Sequence, residues 1–170
     1  MKIAILNGSP HVGNTSAMVD AFAEGARKAG HEVEILHVGK MKIAGCLGCG
    51  YCHGKGGGSC IQKDDMEKVM PAYKEADMIV YASPIYYFDF TAQICAAMQR
   101  IFAIGKPFKA RKSALLLSSG SDGVYAGAIG TYKDMAAYLG LENMGIITAH
   151  GDENGSEAKL AEVKALAKSL

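Results

Sequence analysis

The chain has 170 residues, of which 49% are hydrophobic and 21% charged, and its formal net charge is +1. This length and composition predict a single globular domain, residues 1–170, that can bury a complete core. The near-zero net charge excludes an overall field that would steer the chain to nucleic acid or to acidic membranes. No apolar run is long enough to span a bilayer, and no export signal precedes the "NGSP" break, so we expect a cytoplasmic protein.

Five short apolar runs predict β-strands, and five segments of helical periodicity predict helices between and after them. The strands are expected at Lys2–Leu6, Glu32–Val38, Met78–Ser83, Ser113–Ser119 and Met144–His150. The helices are expected at Asn14–Ala29, Asp64–Asp77, Thr91–Phe102, Thr131–Leu139 and Glu157–Leu170. Pro71 lies inside the second helical segment, where it predicts a kink or an early break.

Strands that alternate with helices predict βαβ units and therefore a parallel sheet. Several strands are apolar almost throughout, as expected when helices cover both faces of the sheet. Five strands fit the doubly wound order 2-1-3-4-5, which places a ligand crevice at the carboxyl ends of strands 1 and 3.

The turn after the first strand, "NGSPHVGNTS", combines small residues and hydroxyl groups with the start of a helix. Backbone N–H groups, the helix dipole and the side chains of Ser9, Asn14, Thr15 and Ser16 can converge there on an anion. The turn lacks both the Walker A lysine and the G-x-G-x-x-G pattern, so a single phosphate monoester matches it better than a polyphosphate. The alternative is a capped turn in which Asn14 or Thr15 holds the first helical amides.

Two further loops leave the same edge of the predicted sheet. "SPIYYFDFTAQ" after the third strand carries aromatic rings that can stack on a planar ligand, unless they form a hydrophobic plug or a dimer contact. "SSGSDGVYAGAIG", Ser118–Gly130, is a loop of glycines and serines that can approach a ligand closely. A phosphate seat, an aromatic wall and a polar rim together favour a mononucleotide with a flat heterocycle, and FMN is the candidate.

On these three loops the chain resembles the flavodoxin-like NADPH-dependent FMN reductase family. The resemblance implies that Ser9, Asn14, Thr15 and Ser16 hold the FMN phosphate. It further implies a flavin site bordered by Pro84, Ile85, Tyr86, Tyr87, Phe88, Ser119, Gly120 and Ser121. His11 stands where the family usually carries arginine, so it is a weaker donor to the phosphate. The resemblance also implies a homodimer, or a dimer of dimers, that completes the flavin pocket.

Four cysteines follow the second strand in the pattern C-x2-C-x2-C-x7-C: Cys46, Cys49, Cys52 and Cys60. In a reducing cytoplasm such a cluster is more often metal-binding or redox-active than a disulfide framework. It resembles the iron–sulfur flavoprotein branch of the family, whose cysteines hold a [4Fe–4S] cluster near FMN. Zinc and free thiols remain alternatives, although structural zinc sites usually pair two C-x2-C units across a longer insert.

The resulting hypothesis is an FMN-dependent oxidoreductase that passes electrons from NAD(P)H to a small acceptor such as a quinone, flavin, nitro or azo compound, or oxygen species. The first alternative is an iron–sulfur flavoprotein fed by ferredoxin, which iron and sulfide analysis would distinguish. The second is a non-catalytic flavodoxin-type electron carrier or redox sensor, which NADPH would reduce negligibly. No Ser/His/Asp set and no carboxylate pair indicates hydrolysis.

Overall fold

A computed structural model of the chain describes residues 1–106 and 109–170. Its strands are β1 (Lys2–Asn7), β2 (Glu32–Leu36), β3 (Met78–Pro84), β4 (Lys112–Ser119) and β5 (Glu142–His150). Its α-helices are α1 (Asn14–Lys28), α2 (Met66–Glu75), α3 (Ala92–Arg100), α4 (Ala126–Leu139) and α5 (Glu157–Lys168). Short 3-10 segments lie at Val38–Lys40, Tyr51–His53, Ile101–Ile104 and Gly151–Glu153.

The strands form one sheet in the order β2-β1-β3-β4-β5, and every neighbouring pair is parallel. This confirms the predicted flavodoxin-like doubly wound sheet. Alternating residues of each strand face opposite sides, so Ile3 and Ile5 belong to one buried cluster while Ala4 and Leu6 belong to the other. α1 and α5 cover the first side, and α2, α3 and α4 cover the second.

The sequence predicts α2 less well than the strands, because the helix continues through Pro71 to Glu75 and the expected early break there is wrong. Proline removes one backbone hydrogen bond from a helix. Here Val69, Ala72 and Tyr73 are buried against the sheet on either side of the proline. Burial of this helix face therefore outweighs the lost hydrogen bond.

α4 begins at Ala126, five residues before the predicted start at Thr131, so the serine- and glycine-rich loop is shorter than expected. Tyr125 and Ala128 are buried at this helix start, and the Tyr125 hydroxyl donates to the carbonyl of Ala149 at 2.8 Å. Tertiary contacts thus make a helix of a glycine-rich segment that by itself favours a loop. Among the described residues, no helix combines the length and the apolar character needed to cross a bilayer.

Candidate functional site

The turn between β1 and α1 is held in shape by its own side chains. The Asn7 Oδ1 atom accepts from the Ser9 amide at 3.0 Å, and its Nδ2 donates to the Ser16 hydroxyl at 3.3 Å. The hydroxyls of Ser9 and Ser16 in turn donate to the carbonyl of His11 at 2.8 and 3.3 Å. Two of the predicted phosphate ligands therefore also build the turn, while the side chains of His11 and Asn14 are exposed to solvent.

The N-terminus of α1 is open to an anion. Gly13 is the N-cap residue, and no side chain of the described residues caps the helix. The first turn also contains no acidic residue, which leaves its amide N–H groups and the positive end of the dipole unneutralised by the chain. The capped-turn alternative is therefore not observed, and the donor set fits a phosphate group such as that of FMN.

Contacts from three other elements fix the position of this turn. The Thr15 hydroxyl lies 2.7 Å from that of Ser118 at the end of β4, and both residues are buried. The Thr91 hydroxyl, before α3, donates to the carbonyl of Gly8 at 2.8 Å. A Cβ atom at Gly39, after β2, would lie only 2.3 Å from the carbonyl of Ser9, so only glycine allows this approach.

The aromatic loop after β3 ends in a tight turn at residues 86–89. The Tyr86 amide donates to the carbonyl of Asp89 at 2.9 Å, and the Asp89 amide donates back at 3.3 Å. The two central residues, Tyr87 and Phe88, have φ values of 51° and 71°, a left-handed conformation that is strained for bulky side chains. Their side chains are 96% and 61% exposed, so this strain holds two aromatic rings out at the carboxyl edge of the sheet.

The remaining predicted flavin residues lie beside this turn and after β4. Pro84 and Ile85 are half-buried, and the Ile85 amide donates to the carbonyl of Ser118 at 2.8 Å. The Ser119 hydroxyl lies 2.7 Å from that of Tyr125 and is largely buried, whereas Gly120 and Ser121 are exposed. The structure therefore places the three predicted loops at one edge of the sheet. Ser118 links the loop after β4 directly to the loop after β3.

The cysteine loop, residues 46–60, lies against the 3-10 segment that follows α3, where the rings of His53 and Phe102 have their centroids 4.5 Å apart. A cavity of about 470 Å³ separates Ile43 and Gly45, just before the loop, from Ala92, Gln93 and Cys95 in the helix that follows the aromatic turn. All four loop cysteines are free; Cys46 and Cys49 are exposed, Cys52 is buried and Cys60 is intermediate. Gly48, Gly50, Gly57 and Gly58 have positive φ, so glycine sets the course of the loop backbone.

The thiols are not assembled around a common point. Within residues 1–106 and 109–170, no group of three or more Cys, His, Asp or Glu side chains comes together as a metal site. Four thiols on a glycine-rich backbone are a donor set suited to iron–sulfur ligation. The observed conformation does not present that set, so metal binding would require the loop to rearrange.

Comparison with known proteins decides the family. Residues 1–162 match the NADPH-dependent FMN reductase family. The chain belongs to this family. An iron-sulfur flavoprotein of Archaeoglobus fulgidus is 37% identical over 86% of this chain, and that match covers 65% of the relative. The chain spans between 44% and 65% of the curated relatives it matches, all of which are iron-sulfur flavoproteins.

Solved structures agree on the fold. An NAD(P)H:quinone oxidoreductase from Methanothermobacter marburgensis has a TM-score of 0.74 at 18% identity, covering 99% of this chain and 95% of that one. An archaeal flavodoxin has a TM-score of 0.67 at 20% identity, with the same coverage of 99% and 95%. Both likenesses show that this family member has a flavodoxin-like fold.

Asn154 is a candidate site residue that the sequence analysis missed. Its Nδ2 atom donates to the carbonyl of Ser119 at 2.7 Å, while its Oδ1 atom is buried without a partner among the described residues. A buried acceptor is costly unless a ligand or water supplies a donor. The polar run "HGDENGS" after the fifth strand, at the same edge of the sheet, is the signal that could have indicated it.

Cys95 stands apart from the cysteine loop. It lies on α3, partly buried, and burial followed by the nearby charge of Asp89 raises the pKa of its thiol. A raised pKa keeps the thiol protonated and poorly nucleophilic at neutral pH. Cys95 packs against the buried core cluster on this side of the sheet.

Proposed function

We propose that this FMN reductase family member binds FMN and uses it to carry electrons from NAD(P)H to a small organic or inorganic acceptor. The observation that carries the proposal is the uncapped N-terminus of α1, which lies at the same carboxyl edge of the sheet as the strained aromatic turn. Bound FMN would supply hydride acceptance and release at its isoalloxazine ring. The chain would supply position, because its amides hold the phosphate and its aromatic rings border the flavin.

The predicted cofactor residues have separate tasks in this proposal. The amides of Asn14, Thr15 and Ser16 would bind the phosphate, with His11 as a nearby donor from an exposed position. Ser119, Gly120 and Ser121 would face the other side of the flavin from Tyr86, Tyr87 and Phe88. Asn154 joins this set because its buried Oδ1 atom can accept from a hydroxyl group of the cofactor.

We infer further that a second copy of the chain covers the aromatic turn. Tyr87 is 96% exposed and Phe88 61% exposed, and two such rings side by side are unusual on an isolated surface. A dimer that covers them would also enclose the flavin and leave a slot in which a nicotinamide can stack.

The first test is a titration of the purified protein with FMN, followed by stopped-flow mixing with NADPH and with NADH. We expect quenching of flavin fluorescence at one FMN per chain and bleaching of the flavin by a pyridine nucleotide. Absence of quenching would contradict the proposal at its first step. Stoichiometric FMN binding with negligible reduction would instead indicate the electron-carrier function.

An iron–sulfur form is the second candidate function, favoured by the four free thiols on a glycine-rich loop. In this form a [4Fe–4S] cluster on Cys46, Cys49, Cys52 and Cys60 would receive electrons from ferredoxin and deliver them to FMN. The loop conformation does not yet gather the four sulfurs, so the proposal includes a rearrangement on metal binding.

Anaerobic purification and analysis of iron and acid-labile sulfide test this form. We expect near-stoichiometric iron in the parent protein, loss of iron in Cys60→Ser, and retention in Cys95→Ser, which changes a cysteine outside the loop. Purified protein that contains flavin but no iron would contradict the cluster proposal. Zinc in place of iron would identify a zinc site on the cysteine loop.

A further inference from the structure

Arg100, the last residue of α3, is buried to an extent unusual for arginine, with 2% of its surface exposed. Its Nη1 atom donates to the carbonyl of Ala44 at 2.9 Å and to the carboxylate of Asp64 at 2.6 Å. Its Nη2 atom donates to the carbonyl of Gln62 at 3.3 Å. One guanidinium therefore binds the chain just before the first loop cysteine and just after the last.

The two segments that Arg100 joins form a stem, defined here as residues 42–45 and 62–65. The Asp64 carboxylate also accepts from the Ala44 amide at 3.1 Å, and the Asp65 carboxylate accepts from the Lys42 amide at 2.8 Å. Residues 46–61 therefore leave and return at one fixed place. The ends of the cysteine loop are held firmly, whereas its glycine-rich interior can rearrange.

Arg100 also lies near the last of the four cysteines. The Nε atom of Arg100 has no hydrogen-bond partner among the described residues. Arg100 and Cys60 also line one cavity of about 370 Å³ between the loop and α2.

An ordinary structural ion pair does not account for this arrangement. Asp64 caps the start of α2 through the Met66 amide at 3.1 Å, and a lysine at position 100 could still pair with that carboxylate. A lysine could not keep the planar fork that reaches two backbone carbonyls and a carboxylate. The acceptors lie on both sides of the loop, which requires a guanidinium.

We propose that Arg100 is a positioning residue for the four-cysteine loop: it clamps together the two chain segments that precede and follow the cysteines. This inference deepens the proposed redox role of the loop and rests on it where a metal is concerned. The clamp itself is a property of the metal-free chain.

The first experiment therefore uses metal-free protein and measures hydrogen exchange at the Lys42 and Ala44 amides. We expect Arg100→Lys and Arg100→Met to lower protection there by about tenfold or more, the factor associated with hydrogen bonds to charged groups. Lys74→Met is the matched control, because Lys74 lines the same cavity from α2. Lys74→Met should leave hydrogen exchange at both amides unchanged. None of the three variants should change hydrogen exchange in the central strands β1 and β3.

The second experiment measures iron and sulfide per chain after anaerobic reconstitution of the same variants. We expect both Arg100 variants to retain less than half of the parent's iron and Lys74→Met to match the parent. An unchanged exchange rate in Arg100→Met would overturn the clamp. Faster hydrogen exchange in the stem together with an unchanged iron content would overturn the link between the clamp and metal binding by the cysteines. If the parent itself binds no metal, the cluster proposal fails while the exchange measurement still decides the clamp.

Discussion

The hydroxyl groups of Thr15 and Ser118 lie 2.7 Å apart in a fully buried hydrogen bond that joins the turn after β1 to the end of β4. The two residues are far apart in sequence. They meet because only β3 lies between β1, which leads into the turn before Thr15, and β4, which carries Ser118. The bond ties the N-terminal turn of α1 to the loop that would border the flavin. A change at either hydroxyl should therefore affect cofactor binding as well as stability.

Thr15→Val keeps the shape of the side chain and removes its hydroxyl. We expect a loss of about 1–3 kcal/mol in the free energy of unfolding, since the Ser118 hydroxyl is left buried without this partner. FMN affinity should fall roughly tenfold, as the first turn of α1 loses its anchor. Denaturant unfolding and fluorescence titration with FMN measure the two effects. Thr131→Val, an exposed position on α4, should change neither, and parent-like FMN binding by Thr15→Val would contradict the role of this bond.

Gly39→Ala tests the close approach of the segment after β2 to the turn. The added Cβ atom would lie 2.3 Å from the carbonyl of Ser9, so backbone must move. We expect FMN affinity to fall by about tenfold or more and stability to fall by about 1–3 kcal/mol. Gly130→Ala is the control within α4, where a Cβ atom would meet nothing within 4 Å.

The control should have the opposite sign for stability. Alanine in place of glycine inside a helix typically stabilises by about 0.5–1 kcal/mol. Gly130→Ala should therefore unfold at a higher denaturant concentration than the parent and bind FMN equally well. If Gly39→Ala behaves like Gly130→Ala, the segment after β2 does not support the phosphate turn.

The aromatic turn predicts a conflict between stability and function. Replacing Tyr87 by Asn and Phe88 by Gly places residues in the turn that tolerate positive φ. We expect the double variant to be more stable by about 1 kcal/mol, because backbone strain is relieved, and to bind FMN more weakly, because two rings are lost. Tyr138→Ala removes an exposed ring at the far end of α4 and should leave FMN binding unchanged. Lower stability of the double variant would show that the turn is not strained in solution.

Asn154→Ala tests the residue whose amide oxygen is buried without a partner. Since Oδ1 makes no bond within the described residues, the apoprotein should lose little stability beyond the Nδ2 bond to Ser119, about 1 kcal/mol. FMN affinity should fall by more than the stability change alone accounts for. Equal affinity of variant and parent would assign Asn154 a purely structural role. Asn143→Ala in β5 offers a control, since it removes hydrogen bonds to the Tyr132 hydroxyl and the Gly145 amide.

Alkaline pH should destabilise the fold through two buried tyrosines whose hydroxyls lie 3.0 Å apart, Tyr73 and Tyr81. Burial raises the pKa of Tyr73 to about 12, and burial together with Tyr73 raises the pKa of Tyr81 well above its usual value. The folded state therefore keeps these protons above pH 10, where the unfolded chain releases them. Their stabilising contribution is complete below about pH 10 and is lost as the pH rises through about 12.

Denaturant unfolding at a series of pH values from 9 to about 12 checks this expectation. The double variant Tyr73→Phe/Tyr81→Phe should show a flatter decline of the free energy of unfolding than the parent. Phenolate absorbance should rise in step with unfolding in the parent rather than ahead of it. Equal slopes for parent and double variant would mean that other groups cause the alkaline instability.

The residues of the sequence predict the sheet correctly because strands depend on local patterns, and continuous apolar runs identify β1, β3 and β4. The helix start in "NGSPHVGNTS" is also a local pattern, and phosphate binding there stays a prediction. The same locality explains two errors. Proline lowers the intrinsic helix propensity around Pro71, and glycine lowers it before Thr131. Helices nevertheless form at both places because burial of Tyr73 and of Tyr125 outweighs that low propensity.

Local pattern determines which residues of this chain form strands, which turn can hold a phosphate and where the thiols cluster along the chain. Only the tertiary structure decides that Thr15 meets Ser118, that Gly39 lies against Ser9 and that Arg100 clamps the cysteine loop. Each of these contacts joins residues from different strands or helices. Their existence depends on strand order, register and side-chain burial, which arise when the whole sheet and its helices pack together.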